Sequence, residues 1–396
     1  MTYAFSDRIS ALKPSAIREI LKVTQDPEVI SFAAGNPAAE TFPAEEMAEI
    51  AAEIFRKSYA SALQYGVTEG YGPLVAAVSK RMREKYGCGT DDDAVIITSG
   101  AQQGVELAAK VLLNEGDAVL CESPSFIGSL NAFRSYRANL VGVPVDAGGM
   151  DMTALENALK NTPRAKFIYT IPTFQNPTGY TLTLERRREM LALAEKYDVL
   201  ILEDSPYFEL RYAGEYVPAI KSMDKNGRVI YLGSFSKVIA PGIRVGYAIG
   251  PKALVGKMTV AKQVSDVHTN LFFQMAVERY MARHDLDAHI ATCSGLYMEK
   301  RDRMLEGLRR HCEGPATWNT PDGGLFLWMT LPEGYDGAEL CRRAGQKKVA
   351  AVPGASFATE EDIVTAGVRL NFSLPSLQQI DDGTRLLGEA LRGYIK

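Results

Sequence analysis

The chain has 396 residues, with 44 Lys plus Arg against 48 Asp plus Glu and a formal net charge of -4. That balance gives no electrostatic reason to expect nucleic acid or an acidic membrane as the partner. Apolar residues at 46% and charged residues at 23% are ordinary for a soluble globular enzyme, and no apolar run approaches the ~20 residues that span a membrane.

At roughly 150 residues per domain, the length suggests two or three domains. Five cysteines (Cys88, Cys121, Cys293, Cys312, Cys341) are scattered without a CxxC pair, as expected of reduced thiols in a cytoplasmic protein. The N-terminus carries no secretory signal pattern. His284 and His289 are five apart and no HExxH occurs, so no metal site is expected.

In chain order, residues 1–14 read as an arm ending at Pro14. Ser15 is placed to cap a short helix to Val23, with Ile17, Ile20 and Leu21 on one face. Ile30–Pro37 reads as a short strand entering a turn. Pro43 followed by Glu45 and Glu46 starts a helix to about Ser58, and a second runs from Gly72-Pro73 to Gly87. Strand-like runs then recur at Ala94–Thr98, Ala118–Cys121, Leu140–Val145, Phe167–Ile171, Val199–Leu202, Val229–Leu232 and Val245–Ile249. Amphipathic segments such as Gln102–Leu113, Met152–Lys160 and Leu184–Tyr197 separate most of them.

This alternation predicts an α/β protein with a mostly parallel seven-stranded sheet sandwiched by helices. Long helices are expected over Asn270–Ala282 and Asp287–Arg310. Short strands (Leu325–Thr330, Val349–Val352, Gly367–Phe372) then mix with helices at Gly337–Lys347 and Ser376–Gly393. The expected organisation is an arm (1–14), a small α+β domain (15–40 with 313–396), a large α/β domain (41–290) and a connecting helix (287–312).

Parallel sheets bind ligands beyond the carboxyl ends of their strands, so the residues just past each strand carry the functional signal. After Ala94–Thr98 comes Ser99-Gly100-Ala101-Gln102, a small-residue turn opening a helix. It suits a phosphate, though taken alone it is equally a capped helix start. Asn176-Pro177-Thr178-Gly179 follows the fourth run, and its Asn176 amide is able to donate to a ligand oxygen. Asp204 and Tyr207 follow the fifth. After Val229–Leu232 comes Gly233-Ser234-Phe235-Ser236-Lys237, then Pro241-Gly242-Ile243-Arg244. Hydroxyls, a lysine and an arginine just beyond a buried strand suggest that Lys237 carries a covalent cofactor whose phosphate Ser234, Ser236 and Arg244 hold.

With these motifs in hand, the chain resembles the class I and II aminotransferases, pyridoxal-phosphate enzymes of fold type I, over essentially its whole length. The resemblance implies a homodimer with active sites at the subunit interface. It implies that Lys237 holds the cofactor, that Asp204 pairs with the pyridine nitrogen, and that Asn176 and Tyr207 donate to the ring's phenolic oxygen. Phe126 matches the aromatic stacked on the ring. Ser99, Gly100, Ala101, Gln102, Ser234, Ser236 and Arg244 match the phosphate cup. Tyr65, in Gln64-Tyr65-Gly66, matches a tyrosine lent by the other subunit. Arg369 matches the arginine that grips the substrate carboxylate, and Gly35 and Asn36 match the loop at the substrate's edge.

The subgroup most similar holds 2-aminoadipate, kynurenine and broad aromatic or branched-chain aminotransferases, on Pro14–Lys22, Tyr65–Leu74, Phe174–Gly179 and Gly324–Trp328. There Arg18 matches an arginine able to meet a side-chain carboxylate. Otherwise it is a solvated or salt-bridged helix residue. The expected reaction moves an amino group from an α-amino acid to a 2-oxo acid such as 2-oxoglutarate, through the pyridoxamine form. A C–S lyase or decarboxylase of the same fold would share every cofactor residue. A regulator built on such a core would need a DNA-binding module ahead of the sheet domain, which the expected helix at residue 15 argues against.

Overall fold

Successive residues of a strand point to opposite faces of its sheet, and here consecutive apolar residues divide between two cores. Val119 and Cys121 enter one core and Leu120 the other. Phe167 and Tyr169 part from Ile168, Leu202 from Ile201, and Ile230 and Leu232 from Val229. A strand buried on both faces belongs to a sheet covered by helices on both sides. Leu107 and Ala108 of the helix Ala101–Leu112 cover the first face. Leu155 of Met152–Asn161 and Met190 of Leu184–Lys196 cover the second. Each buried side chain of this size contributes roughly 1.5–3 kcal/mol by leaving water.

The computed structural model describes residues 3–10, 12, 26–360 and 363–395. The expected helix Ser15–Val23, with Arg18, lies outside the described residues. In chain order the strands are β1 Ile30–Ser31, β2 Asp93–Thr98, β3 Ala118–Ser123, β4 Asn139–Asp146, β5 Gly149–Met150, β6 Ala165–Thr170, β7 Leu200–Asp204, β8 Val229–Ser234, β9 Gly246–Pro251, β10 Thr317–Trp318, β11 Phe326–Thr330, β12 Val349–Ala350, β13 Val352–Pro353 and β14 Gly367–Asn371.

The large sheet has the order β2-β9-β8-β7-β6-β3-β4-β5. The pairs β3–β4, β3–β6, β6–β7 and β7–β8 are parallel, while β9 runs antiparallel to both its neighbours. All seven expected strands are present. The sheet has eight, because Gly149–Met150 folds back on Val145–Asp146 as a two-residue edge strand, too short to show alternation in a sequence.

A second, antiparallel sheet has the order β10-β11-β14-β13, and β1 pairs in parallel with β12. The expected strand Val349–Val352 is therefore two strands in different sheets, with Ala351 as the crossing point. Arg369 sits in β14, opposite Trp328 on one side and Val352 on the other. Asn371 N–H donates to Phe32 O at 2.8 Å, which lays the segment after β1 alongside Arg369.

The long helix Leu286–Cys312 begins at Asp285, whose carboxylate accepts from the Asp287 and Ala288 amides. It lies against the helix Leu377–Arg392, which opens with a Ser376–Gln379 capping box. Among the described residues no helix is long and apolar enough to cross a membrane, and no group of three or more His, Cys, Asp or Glu is placed to hold a metal.

Candidate active site

The carboxyl-end turns of the large sheet converge on one cavity of about 420 Å³. Gly35, Asn36, Ala101, Gln102, Phe126, Asn176, Asp204, Tyr207, Ser234, Ser236, Lys237, Arg244 and Arg369 all line it. Thirteen of the expected site residues thus meet in one place.

Lys237 follows β8 in a turn whose neighbours Phe235, Val238 and Ile239 are buried. Ile239 N–H donates to Phe235 O at 2.8 Å, which holds the lysine's backbone in place and turns its side chain to the cavity. Its Nζ donates to Gly35 O at 2.8 Å and lies 5.9 Å from the Tyr207 ring centroid. Burial lowers the Lys237 amine to about 8, and the cations Arg369 and Arg244 add to the effect in that order. Loss of solvent is the larger cause.

Asp204 ends β7 and is buried. Glu203, one residue earlier, faces the other way and accepts from the Ile220 and Lys221 amides. Of the two acids, only Asp204 lines the cavity. Its Oδ2 accepts from Tyr169 Oη at 2.8 Å, while its Oδ1 is buried with no partner among the described residues. Burial raises this carboxyl to about 6, against the lowering effect of the Tyr169 bond.

Ser234 Oγ accepts from the Ser236 amide at 3.1 Å and donates to Ser236 Oγ at 2.9 Å. Arg244 reaches back in a left-handed conformation, φ 52°, donating to Ser236 Oγ at 3.4 Å and Ser99 O at 3.1 Å. It passes so close to Gly100 (φ 77°) that a Cβ there would overlap the guanidinium. Gly100 also precedes the helix Ala101–Leu112 with no side-chain cap, so that helix presents uncapped N–H groups beside Arg244. Ser99 and Gly100 lie behind the cavity wall, and the Ser99 hydroxyl donates to Asp266 Oδ2 at 3.1 Å.

Arg369 is 3% exposed. One Nη donates to Asn176 Oδ1 at 2.9 Å, the other to Ala33 O at 2.6 Å, and Nε has no partner among the described residues. Its guanidinium lies between the Phe326 and Phe357 rings, 4.4 and 4.8 Å from their centroids. Among the described residues no carboxylate pairs with it, and burial lowers its pKa to about 10. Asn176 joins this end to Tyr207, donating to its Oη at 3.4 Å.

Tyr65 does not line this cavity. It is 80% exposed, with its ring edge-on to His268 at 5.9 Å. Arg18 lies outside the described residues. Sequence reasoning missed Ile127, Gly128, Ile171, Pro206, Pro241 and Phe326 of the lining. It also missed Tyr169 behind Asp204. Gly128 had a findable signal two residues after Phe126: a Cβ there would meet the Phe126 ring at 2.6 Å.

The donor set fits a phosphorylated pyridine aldehyde. Among the described residues it combines a carboxylate oxygen without a partner, an amine, a hydroxyl–guanidinium cradle with an uncapped helix start, and a buried cation that no carboxylate pairs. Residues 27–383 match the family model for aminotransferase class I and II. The chain is 41% identical to aromatic-amino-acid aminotransferase 1 of Thermococcus litoralis, over 99% of this chain and 95% of that one. It is 38% identical to the 2-aminoadipate transaminase of Thermus thermophilus, over 99% and 97%. The solved kynurenine aminotransferase of Pyrococcus horikoshii, in complex with PMP, superposes with a TM-score of 0.95 at 40% identity, covering 99% of this chain and 98% of that one. The fold is that of the fold type I pyridoxal-phosphate enzymes. The chain belongs to the class I and II aminotransferase family, and it is a pyridoxal-phosphate-dependent transaminase acting on amino acids.

The lowered Lys237 pKa gives a test on the apoprotein. With Lys237 as the capturing amine, the role proposed below, capture of pyridoxal phosphate needs its neutral form. The capture rate should therefore rise about tenfold per pH unit up to a midpoint near 8 and level off above it. Replacing Arg369 by Leu should raise that midpoint only partly, because burial remains. A midpoint at the ordinary lysine value near 10.5 would contradict the buried placement.

Proposed function

We propose that pyridoxal phosphate is held in this cavity by Lys237 covalently, by Asp204 at the ring nitrogen, and by Asn176 and Tyr207 at the ring oxygen. Phe126 packs on the ring, and Ser234, Ser236, Arg244 and the start of the helix Ala101–Leu112 hold the phosphate. Asp204 Oδ1 carries the reading: a buried carboxylate oxygen without a partner among the described residues, in the cavity that also contains Lys237, calls for a donor from a ligand. When bound, the cofactor supplies a protonated ring that accepts the electron pair left by a departing Cα proton.

The chain's own residues do the rest. Arg369 takes the substrate carboxylate as the anion its buried charge lacks, and so orients the Cα–H bond. Lys237, displaced by the substrate amine, removes that proton at Nζ. Phe126, Ile127 and Phe326 exclude water from the apolar part of the cavity.

The donors are aromatic, branched-chain and 2-aminoadipate-type amino acids, with 2-oxoglutarate as acceptor. The names of the relatives support the aromatic and 2-aminoadipate parts of this range. So does the lining, whose charged groups are Asp204, Lys237, Arg244 and Arg369. Each of these already has a role, so an apolar side chain needs nothing more from the described residues. An acidic side chain needs a further cation, and Arg18 is the candidate. In a donor panel with 2-oxoglutarate, Arg18→Ala should cut kcat/KM for 2-aminoadipate by at least about tenfold and leave leucine and phenylalanine near their wild-type values. Equal losses across donors would remove Arg18 from the site.

The working unit is a cytoplasmic homodimer, with residues 41–290 as its cofactor-binding domain and residues 15–40 with 313–396 as the smaller one. Tyr59, Leu63, Tyr65, Val67, Val264 and Val267 are all exposed, apolar side chains that a second subunit would cover. The segment carrying His268 also reaches the phosphate turn, through Ser99 and Asp266. Light scattering should give about twice the 43.3 kDa chain mass. Tyr65→Phe should weaken pyridoxal phosphate binding by roughly tenfold, the worth of one hydrogen bond to a charged group. A monomer with full activity would contradict the shared site.

A further inference from the structure

We propose that Tyr169, itself held by Ser129, is a positioning residue that keeps the proton of the cofactor's ring nitrogen on the ring and off Asp204. The proposal rests on the reading of Asp204 as the ring-nitrogen partner.

Register brings the pair together. Tyr169 in β6 lies opposite Leu202 in β7, and Asp204, two residues on, shares its face as the diagonal neighbour. Tyr169 Oη donates to Asp204 Oδ2 at 2.8 Å and accepts from Ser129 Oγ at 2.8 Å. Ser129 and Tyr169 are fully buried and Asp204 nearly so. The Tyr169 ring is braced edge-on by Phe133, 5.3 Å between centroids.

A tyrosine has one hydroxyl proton, and an ionised carboxylate is its natural acceptor here. Glu122, the other buried acid near this ring, is already occupied by Thr170 Oγ1, the Ile171 amide and Gln175 Nε2. Ser129 loads the Tyr169 oxygen as an acceptor, which makes Tyr169 a stronger donor. The chain Ser129–Tyr169–Asp204 therefore favours the carboxylate over the carboxylic acid.

That bias matters because the Asp204 carboxyl is buried. Burial alone raises the Asp204 carboxyl, so a proton shared between Oδ1 and a pyridine nitrogen has two nearly matched homes. A hydrogen bond to the charged form is worth about 1–2 pH units of acidity. Without it, Asp204 becomes the better base and draws the proton from the ring.

The test uses holoenzyme reconstituted with pyridoxal phosphate carrying 15N in the ring. In the wild type the 15N resonance should lie at the pyridinium position, and in Asp204→Asn at the neutral-pyridine position. Tyr169→Phe keeps the ring against Phe133 and loses only the hydroxyl; its resonance should move from the pyridinium toward the neutral position. Ser129→Ala should move it the same way by less. If Tyr169→Phe does not fold, Ser129→Ala decides. Wild-type resonances in both variants, with a shifted one in Asp204→Asn, would overturn the role of Tyr169 alone. An unshifted resonance in Asp204→Asn would overturn the Asp204 reading together with it.

Discussion

Lys237→Ala should lose transamination by about 10⁴-fold or more, the upper end of what a positioned proton-transfer group contributes. Two functions leave with one side chain. The cofactor loses its covalent anchor, and the Cα proton loses its acceptor. The fold should survive, because the buried neighbours Phe235, Val238 and Ile239 hold the turn. Removing an amine whose charged form burial disfavours also breaks no ion pair with any described residue, since its Nζ donates to the Gly35 carbonyl. The variant should therefore melt near the wild-type apoprotein temperature and bind pyridoxal phosphate reversibly. Lys237→Arg should not rescue activity, since a guanidinium stays protonated and is no base near neutral pH. Activity within tenfold of wild type would contradict the role assigned to Nζ.

Arg369→Leu should lower kcat/KM for every α-amino acid donor by about 10²–10³-fold, within the range for truncating one partner of a buried charge pair. The reasoning is electrostatic. Arg369 is a buried cation between two aromatic rings, and among the described residues no carboxylate neutralises it. A substrate carboxylate is the missing anion. The loss should fall on substrates that carry a carboxylate and spare those that do not. The preference for phenylalanine over phenethylamine should therefore collapse in the variant. Arg369→Lys should recover little, because a point charge does not reproduce a planar two-pronged grip. A preference that survives in Arg369→Leu would place the carboxylate elsewhere.

The large sheet was legible because seven of its strands contain apolar runs of four to six residues bounded by turn signals. The site was legible because its chemistry sits just past those runs. Val349–Val352 was misread as one strand, since nothing in four apolar residues marks the change of sheet at Ala351. The helix Ile127–Ser135 was missed because Gly128, Ser129 and Asn131 are weak helix formers. Tyr169 was invisible for a different reason. In Phe167-Ile168-Tyr169-Thr170 it reads as one more core residue, and only the β6–β7 register sets it diagonal to Asp204. Tyr65 was expected at a cofactor phosphate on resemblance alone, and in the single chain it stands on the surface.

The central claim is that Lys237, Asp204 and Arg369 form one site that transfers an amino group, and a single half-reaction tests it. Purified holoenzyme is mixed with phenylalanine in the absence of any oxo acid. The cofactor absorbance is followed and the released products are counted. The predicted result is conversion of bound pyridoxal to pyridoxamine phosphate with one equivalent of 2-oxo acid per site, no free ammonia, and no conversion in Lys237→Ala. Ammonia release with the pyridoxal form retained, or full conversion in Lys237→Ala, would contradict the account.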